Sequence, residues 1–268
     1  FELDENNKPT KIPYDEAGYM DLAPDDRGEN IRREICLTLE QMGIRPESSH
    51  HEEGPGQNEI DFRYSDPLTA ADDTMTFQTI VKIVARRNGV FVDFGPKPLE
   101  HKPGNGFHIN MSVQSNDGSE NLCHMIAGVL DKVVEMTVFL NPTEDSYKRF
   151  GMDKAPGYVS WSNENRSQLV RIPAAVGEYR RAELRSPDPT ANPYLAFTLL
   201  IYAALIGLEK KLDLPEAANI NLYKADAETL AKFKKLPGSL CDARKAAASS
   251  KFIKEHIPAS ILDIYCNK

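Results

Sequence analysis

Ten residues, His50-His51-Glu52-Glu53-Gly54-Pro55-Gly56-Gln57-Asn58-Glu59, constrain this chain more than any others. Gly-Pro-Gly between two polar arms punctuates a tight turn. The second arm continues as Glu59-Ile60-Asp61-Phe62-Arg63-Tyr64, alternating polar and apolar at a period of two. The stretch predicts a β-hairpin with Glu59, Asp61 and Arg63 on one face and Ile60, Phe62 and Tyr64 on the other. In the first arm His50 and Glu52 point together, so the hairpin can bring Glu52 and Glu59 onto one surface near its closed end. Two carboxylates held close repel unless a cation sits between them or one keeps its proton. Carboxylate oxygens suit hard ions such as Mg²⁺ and Mn²⁺. Taken alone, such a hairpin is most simply a solvated acidic loop; two later stretches change that reading.

Two more segments alternate in the same way. In 107–113, His108, Asn110 and Ser112 face one side and Phe107, Ile109, Met111 and Val113 the other; in 179–185, Arg181, Glu183 and Arg185 share a face. Shorter strands are expected at 90–94 and 167–172, and Asn116-Asp117-Gly118 reads as a turn. Between them lie helices. One opens at Ala23-Pro24-Asp25-Asp26 and stops at Gly43; one follows Asp66-Pro67 and stops at Gly89; one runs 120–140; one follows Asn192-Pro193 to Leu212; and 226–266 is helical and lysine-rich. Strands with one polar and one apolar face, interspersed with amphipathic helices, predict an α+β fold. Its sheet is mainly antiparallel, with helices packed on the apolar side and a polar face left for function.

Composition narrows the classes. A net charge of −8 and a pI near 5.4 argue against a dedicated nucleic-acid binder. The cysteines Cys36, Cys123, Cys241 and Cys266 show no Cys-x-x-Cys pairing, which suits reduced thiols in a cytoplasmic protein better than a disulfide framework or a zinc site. The longest apolar run, 196–208, falls short of the roughly 20 residues of a membrane span, so it reads as a buried core helix, with no membrane partner. The chain opens on Phe1-Glu2-Leu3 without an initiator Met, as the end of a strand would, and is expected to be a piece of a longer protein.

Glu52, Glu59, Glu183 and His108 come from three separated stretches and could hold two divalent ions. Arg149, Arg166, Arg171, Arg181 and Arg185 supply guanidinium forks suited to carboxylate and phosphate. With the Gly-rich segment Gly104-Asn105-Gly106, this set describes phosphoryl transfer from a nucleotide, in which metals neutralise phosphate charge and Arg stabilises the transition state. Each residue taken singly has an ordinary structural explanation; their joint placement on like faces of three strands is what favours function.

Five stretches, in order, resemble the signature segments of the type I glutamine synthetase family. They are His50-His51-Glu52 through Gly56-Gln57-Asn58-Glu59; Lys97-Pro98 with Gly104-Asn105-Gly106-Phe107-His108; Asn141-Pro142-Thr143 through Ser146-Tyr147-Lys148-Arg149; Asn165-Arg166-Ser167 through Arg171-Ile172-Pro173; and Glu183-Leu184-Arg185-Ser186-Pro187-Asp188-Pro189 through Asn192-Pro193-Tyr194. The resemblance implies the glutamine synthetase/guanido kinase-like catalytic fold over 1–268. It also implies ATP-dependent ligation of ammonia to L-glutamate through γ-glutamyl phosphate, two or more Mg²⁺ or Mn²⁺ ions per site, and a homo-oligomer built as a double ring. By matching position, Glu52 and Glu59 would ligate one metal, and His108 and Glu183 the other. Gly104, Arg149 and Arg185 would hold glutamate. Arg166 and Arg171 would face the transferring phosphate as catalytic groups that also touch the nucleotide, and Arg181, Asn110 and Ser112 would bind the nucleotide.

The chain also departs from the family pattern. The strand that supplies one further carboxylate to each metal, and the small N-terminal domain, would precede Phe1, so the chain by itself is expected to bind metal weakly and turn over little. The family places a Glu before the Ala-Pro matching Ala155-Pro156, where it helps deprotonate ammonium. Here Lys154 stands there in a loop one residue short, with Asp153 as the candidate catalytic replacement. Pro103 and Glu178 stand where the family has Asn and Lys. These changes leave the phosphoryl-transfer residues in place and open the amine acceptor: a glutamate–amine ligase resembling γ-glutamylpolyamine synthetases is the alternative, with a non-catalytic relative as a third. Tyr223 sits where some bacterial members carry an adenylylated tyrosine, and an ordinary loop tyrosine explains it equally simply.

Overall fold

The computed structural model describes residues 1–113, 119–152, 154–175 and 177–267, so Asp153 and the turn expected at Asn116-Asp117-Gly118 lie outside the described residues. The chain forms two compact units, one of residues 1–94 with 98–104 and one of residues 95–97 with 105–268.

In the first unit, α1 (Glu29–Gln41) buries Arg32, Ile35 and Leu39 at helical spacing and ends before Gly43, whose φ is +88°. It begins later than the acidic segment at residues 23–26 suggests. Asp26 is not spent on the helix dipole: its carboxylate accepts from Gly28 N and pairs with Arg32. Strands β1 (Pro46–His51) and β2 (Asn58–Phe62) form the expected antiparallel hairpin, with His51 opposite Asn58 and His50 opposite Glu59. Bonds from Glu52 N to Gln57 O (2.8 Å) and Gln57 N to Gly54 O (2.9 Å) close its turn, and Gly56 takes a φ of +61° that disfavours a side chain. Helix α2 (Pro67–Arg87) starts at Asp66, which caps Leu68 N and Thr69 N, and carries Arg86 and Arg87 in its last turn. Ile60 and Phe62 pack with Ile35, Leu39, Val81 and Val84, so the apolar side of β2 faces the helices as its alternation predicts. The strand expected at 90–94 reduces to a single bridge between Val90 and Glu2.

The second unit holds a four-stranded sheet in the order β3 (Ile109–Met111), β6 (Ala182–Leu184), β5 (Val170–Ile172), β4 (Trp161–Asn163). Its pairings are antiparallel except β4 with β5, which run parallel. The strands are shorter than their alternating stretches because the flanking residues leave the regular ladder: Phe107 N bonds to Pro187 O and Arg185 N to Leu169 O. Trp161–Asn163 was not expected as a strand, since its stretch has no periodicity. Ile109, Val170, Ile172, Ala182 and Leu184 form one core with α3 (Ser119–Leu140) and α4 (Pro193–Lys210), so the sheet keeps one face for helices and one for polar groups. Asn192 caps α4 ahead of Pro193, and Lys211 closes it in the left-handed region. Helices α5 (Ala227–Leu230), α6 (Leu240–Ser249), α7 (Lys251–His256) and α8 (Ala259–Asn267) complete the unit.

Helices α3 and α4 cross at Gly128 and Gly207. A Cβ at Gly128 would lie 2.1 Å from Ala203 O, and one at Gly207 2.1 Å from His124 O, so backbone packs directly on backbone. Gly128→Ala must push the helices apart and is expected to destabilise the protein by about 1–3 kcal/mol, in the range of overpacked cores. Gly238→Ala, where the added methyl meets nothing within 4 Å, is expected to stay within about 0.5 kcal/mol of wild type. Denaturant unfolding of both variants checks the contrast.

Candidate active site

The hairpin of the first unit brings His50, Glu52 and Glu59 together, with ligand atoms within 4.8 Å of one another. Register explains it: Glu59 lies opposite His50, and Glu52 is two residues further along the same face. His50 Nδ1 is 2.9 Å from His51 O. A carbonyl can only accept, so Nδ1 donates and the lone pair of Nε2 is left on the side of Glu59, whose Oε1 is 3.8 Å away. One imidazole in a fixed tautomer beside two carboxylates is a donor set that fits a divalent cation. The hairpin brings Glu52 and Glu59 onto one surface near its closed end, as its alternation predicts, and His50 joins them. Its position on the face of Glu52 was the sequence signal for a third donor. Gly104 is tied to the same hairpin, its carbonyl accepting from Gln57 Nε2 at 3.1 Å.

In the second unit the polar face of the sheet converges on Glu183, which is only 8% exposed. Asn110 and Arg171 lie directly opposite it on the neighbouring strands. Arg185 Nη1 donates to Glu183 Oε1 at 3.0 Å, and His108 Nδ1 is 3.4 Å from the same oxygen. Arg171 Nε lies 3.0 Å from Oε2 without hydrogen-bond alignment, so Oε2 is buried and accepts no hydrogen bond among the described residues. Burial opposes the charge on Glu183, but the His108 contact and the Arg185 and Arg171 guanidiniums outweigh it and hold the carboxyl down at about 2. Burial lowers His108 below its ordinary value, against the opposing pull of Glu183, which favours the neutral ring that a metal requires. Gly106 leaves the imidazole its space: a Cβ there would sit 2.7 Å from His108 Nε2. An ionised carboxylate with an unsatisfied oxygen, beside a neutral imidazole, fits a second cation.

The arginines divide by environment. Arg185 is buried, and its Nη2 reaches Lys154 O at 3.4 Å. Arg149 is buried too; it donates to Ser186 O (3.1 Å) and Pro187 O (3.4 Å) and lies 3.7 Å from Asp188 Oδ2. Burial pushes Arg149 down to about 10, which leaves it cationic at neutral pH. Asp188 is in turn held by Asn141 Nδ2 at 3.0 Å, a support that nothing in the sequence signalled. Two of the five candidate nucleotide residues meet, Arg181 Nε donating to Asn110 Oδ1 at 3.1 Å, while Ser112 and Arg166 are exposed. Lys154 takes a left-handed φ of +66°.

Glu183 and His108 both give up their protons more readily in the folded state than in the unfolded chain. Each therefore contributes stability that is present above its unfolded value, near 6.5 for His108 and 4.5 for Glu183, and lost as pH falls. Denaturant unfolding is expected to show stability declining in two stages on acidification, the lower one beginning near pH 4.5 and running toward about 2. Glu183→Gln should shrink that lower stage by about 3 kcal/mol, leaving the part that comes from other lowered carboxyls such as Asp26.

The family model for the glutamine synthetase catalytic domain matches residues 2–268. Over 284 residues the chain is 42% identical to a glutamine synthetase of Staphylococcus epidermidis, covering all of this chain. Over 281 residues it is 41% identical to one of Methanosarcina mazei, covering 99% of it. The chain spans 63% of the length of both curated relatives. Among solved structures, one titled "GmaS/ADP complex-Conformation 1" superposes with a TM-score of 0.82 at 30% identity, over 93% of this chain and 61% of that one. Another, titled "Apo GmaS without ligand", gives 0.81 at 30% identity, over 92% and 60%. With its whole length matched and its polar sheet face built on the residues of the signature segments, the chain belongs to the glutamine synthetase family as a catalytic domain of α+β fold.

Proposed function

We propose that this chain carries the catalytic domain of an ATP-dependent ligase that joins ammonia to the γ-carboxyl of L-glutamate. The observation that carries the reading is Glu183: a buried, ionised carboxylate with an unsatisfied oxygen, set among Arg171, Arg185 and His108. In this reading Glu52 and Glu59, with His50, hold one divalent ion, and Glu183 with His108 holds another; bound there, such ions neutralise phosphate and carboxylate charge. Arg181 and Asn110 hold the nucleotide, a role supported by the ADP named for the superposing GmaS structure. Arg149 and Arg185 hold glutamate. The γ-carboxylate oxygen attacks the terminal phosphorus of ATP and ADP departs; Arg166 and Arg171 stabilise the charge on the transferring phosphoryl group. The amine nitrogen then attacks the acyl carbon of γ-glutamyl phosphate, inorganic phosphate leaves, and the nitrogen loses a proton. The remaining length of the relatives would supply further site residues and the contacts of a homo-oligomer.

A second reading differs only in the acceptor. Lys154 brings a cation where the family's ammonium-attracting Glu stands, and two of the superposing structures are titled GmaS. A larger amine can offset the repulsion of that lysine by burying its carbon skeleton, which ammonium lacks.

The test is glutamate-dependent phosphate release from ATP by the full-length protein that carries this chain, with Mg²⁺ or Mn²⁺ and a panel of acceptors. Turnover with ammonia supports the first reading; turnover with larger amines alone supports the second; tight nucleotide binding without release for any acceptor overturns both. Arg171→Ala is expected to lower kcat by about 10³ or more with the fold intact. Lys154→Glu should move the kcat/KM ratio toward ammonia and away from larger amines, and an unchanged ratio would remove Lys154 as the determinant.

A further inference from the structure

A two-stranded hairpin is marginally stable by itself, and Glu52 and Glu59 on one of its faces repel each other. The opposite face holds it. His51 and Asn58 are partners across the ladder, and each immediately precedes one of the two carboxylates. Both are gripped by buried charged groups.

His51 is fully buried. Its Nε2 lies 2.8 Å from Asp15 Oδ1, and its Nδ1 2.6 Å from the carbonyl of Glu52 itself. Asp15, 6% exposed, also accepts from Gly56 N at 2.9 Å and from Arg27 N at 3.0 Å. One carboxylate thereby ties the end of β1, the turn, and the segment entering α1. On the other arm, Arg32 donates to Asn58 Oδ1 through Nη1 and to Ser49 Oγ at 3.1 Å, bridging both strands. Arg32 is anchored in turn by two bonds to buried Asp26, of 3.0 and 2.6 Å. Burial opposes the charge on Asp26, but the bonds from Arg32 and Gly28 N outweigh it and keep the carboxyl below its ordinary value. Asn58 also reaches back to Gly56 O at 3.0 Å, and Gly28 clears its path, since a Cβ there would lie 2.7 Å from Asn58 Oδ1.

We infer that Asp15 with His51, and Asp26 with Arg32 and Asn58, are positioning residues that set the spacing of Glu52 and Glu59 for a divalent cation. The inference rests on the reading of these carboxylates as metal ligands. A cation site tolerates displacements of only about 0.5 Å in its ligands. Both clamps act one residue away from a ligand, and Asp15 also fixes the intervening turn. Loosening them widens the site rather than removing a ligand. That weakens binding of Mg²⁺, which demands near-ideal octahedral geometry, more than binding of the larger and more permissive Ca²⁺.

The experiment is direct Mn²⁺ titration of the full-length protein by EPR of the free ion, with Mg²⁺ and Ca²⁺ as competitors, on wild type, Glu59→Gln and Asp15→Asn. Glu59→Gln identifies the hairpin site as the binding it removes. Asp15→Asn is expected to raise the Kd of that same site by about 10- to 100-fold, as loss of an outer-shell partner does, and to lower the Mg²⁺/Ca²⁺ preference. A merely structural role would lower the thermal midpoint and leave Kd and preference of the folded protein unchanged, and that result overturns the inference while the metal reading survives. Binding that Glu59→Gln does not alter overturns the metal reading and the inference with it. Where Asp15→Asn fails to fold, Asn58→Ala decides on the same readouts, since Asn58 is exposed and leaves no buried cavity.

Discussion

The arrangement of the second unit depends on one buried carboxylate. Glu183 sits in the middle strand of a three-strand junction, with Asn110 and Arg171 opposite it and Arg185 just past the end of its own strand. Taking such a charge out of water costs several kcal/mol, and the attraction of its neighbours repays this only when the geometry is good. Here the compensation is large enough to hold the carboxyl at about 2, yet incomplete at one oxygen. A carboxylate optimised only for stability would have both oxygens bonded. The apolar sides of β3, β5 and β6, packed on α3 and α4, supply the rigidity that lets the polar side remain under this tension.

The two carboxylate clusters are surrounded differently. Around Glu183 the protein supplies two guanidiniums, Arg171 and Arg185, beside the neutral His108, so a cation fits at the carboxylate and anionic oxygens fit at the arginines. On the hairpin, two carboxylates converge with one imidazole whose proton is turned away from them. That cluster suits a cation. The cost of holding like charges together is met on the reverse face, where Asp15, Asp26 and Arg32 lock the ladder through buried bonds.

The hairpin was legible because its signals are local: Gly-Pro-Gly sets the turn, and period-two alternation sets which residues share a face. The positions of Glu52 and Glu59 follow from those two facts. The polar sheet face was legible for the same reason, and Arg171 between Val170 and Ile172 falls on it by alternation. Strand ends were not legible, since residues such as Phe107 and Arg185 pair through loops whose course depends on long-range contacts. Nor were the supports. Asp15 lies 36 residues from His51, and Asp188 47 residues from Asn141; no periodicity links them. The α3–α4 crossing was equally silent, because an isolated glycine in a helix says nothing of which glycine it meets.

These costs bear on whether the fold serves catalysis or only a scaffold. A scaffold is favoured by whatever is most stable, and replacing buried ion pairs with apolar residues of similar volume is often neutral or stabilising. This domain instead buries Arg149, Arg185 and Glu183 together and leaves Arg149 and Arg185 with unbonded Nε atoms, although Arg185 pairs with Glu183 and Arg149 lies 3.7 Å from Asp188 Oδ2. Unbonded donors on buried guanidiniums are points at which a carboxylate or a phosphate can gain binding energy. The same logic leaves the acceptor as the least constrained part of the proposed chemistry. The buried arginines and Glu183 favour anions and their counter-ions, whereas Lys154, where the family has Glu, is tied to Arg185 through its backbone carbonyl, a bond that any residue there can make.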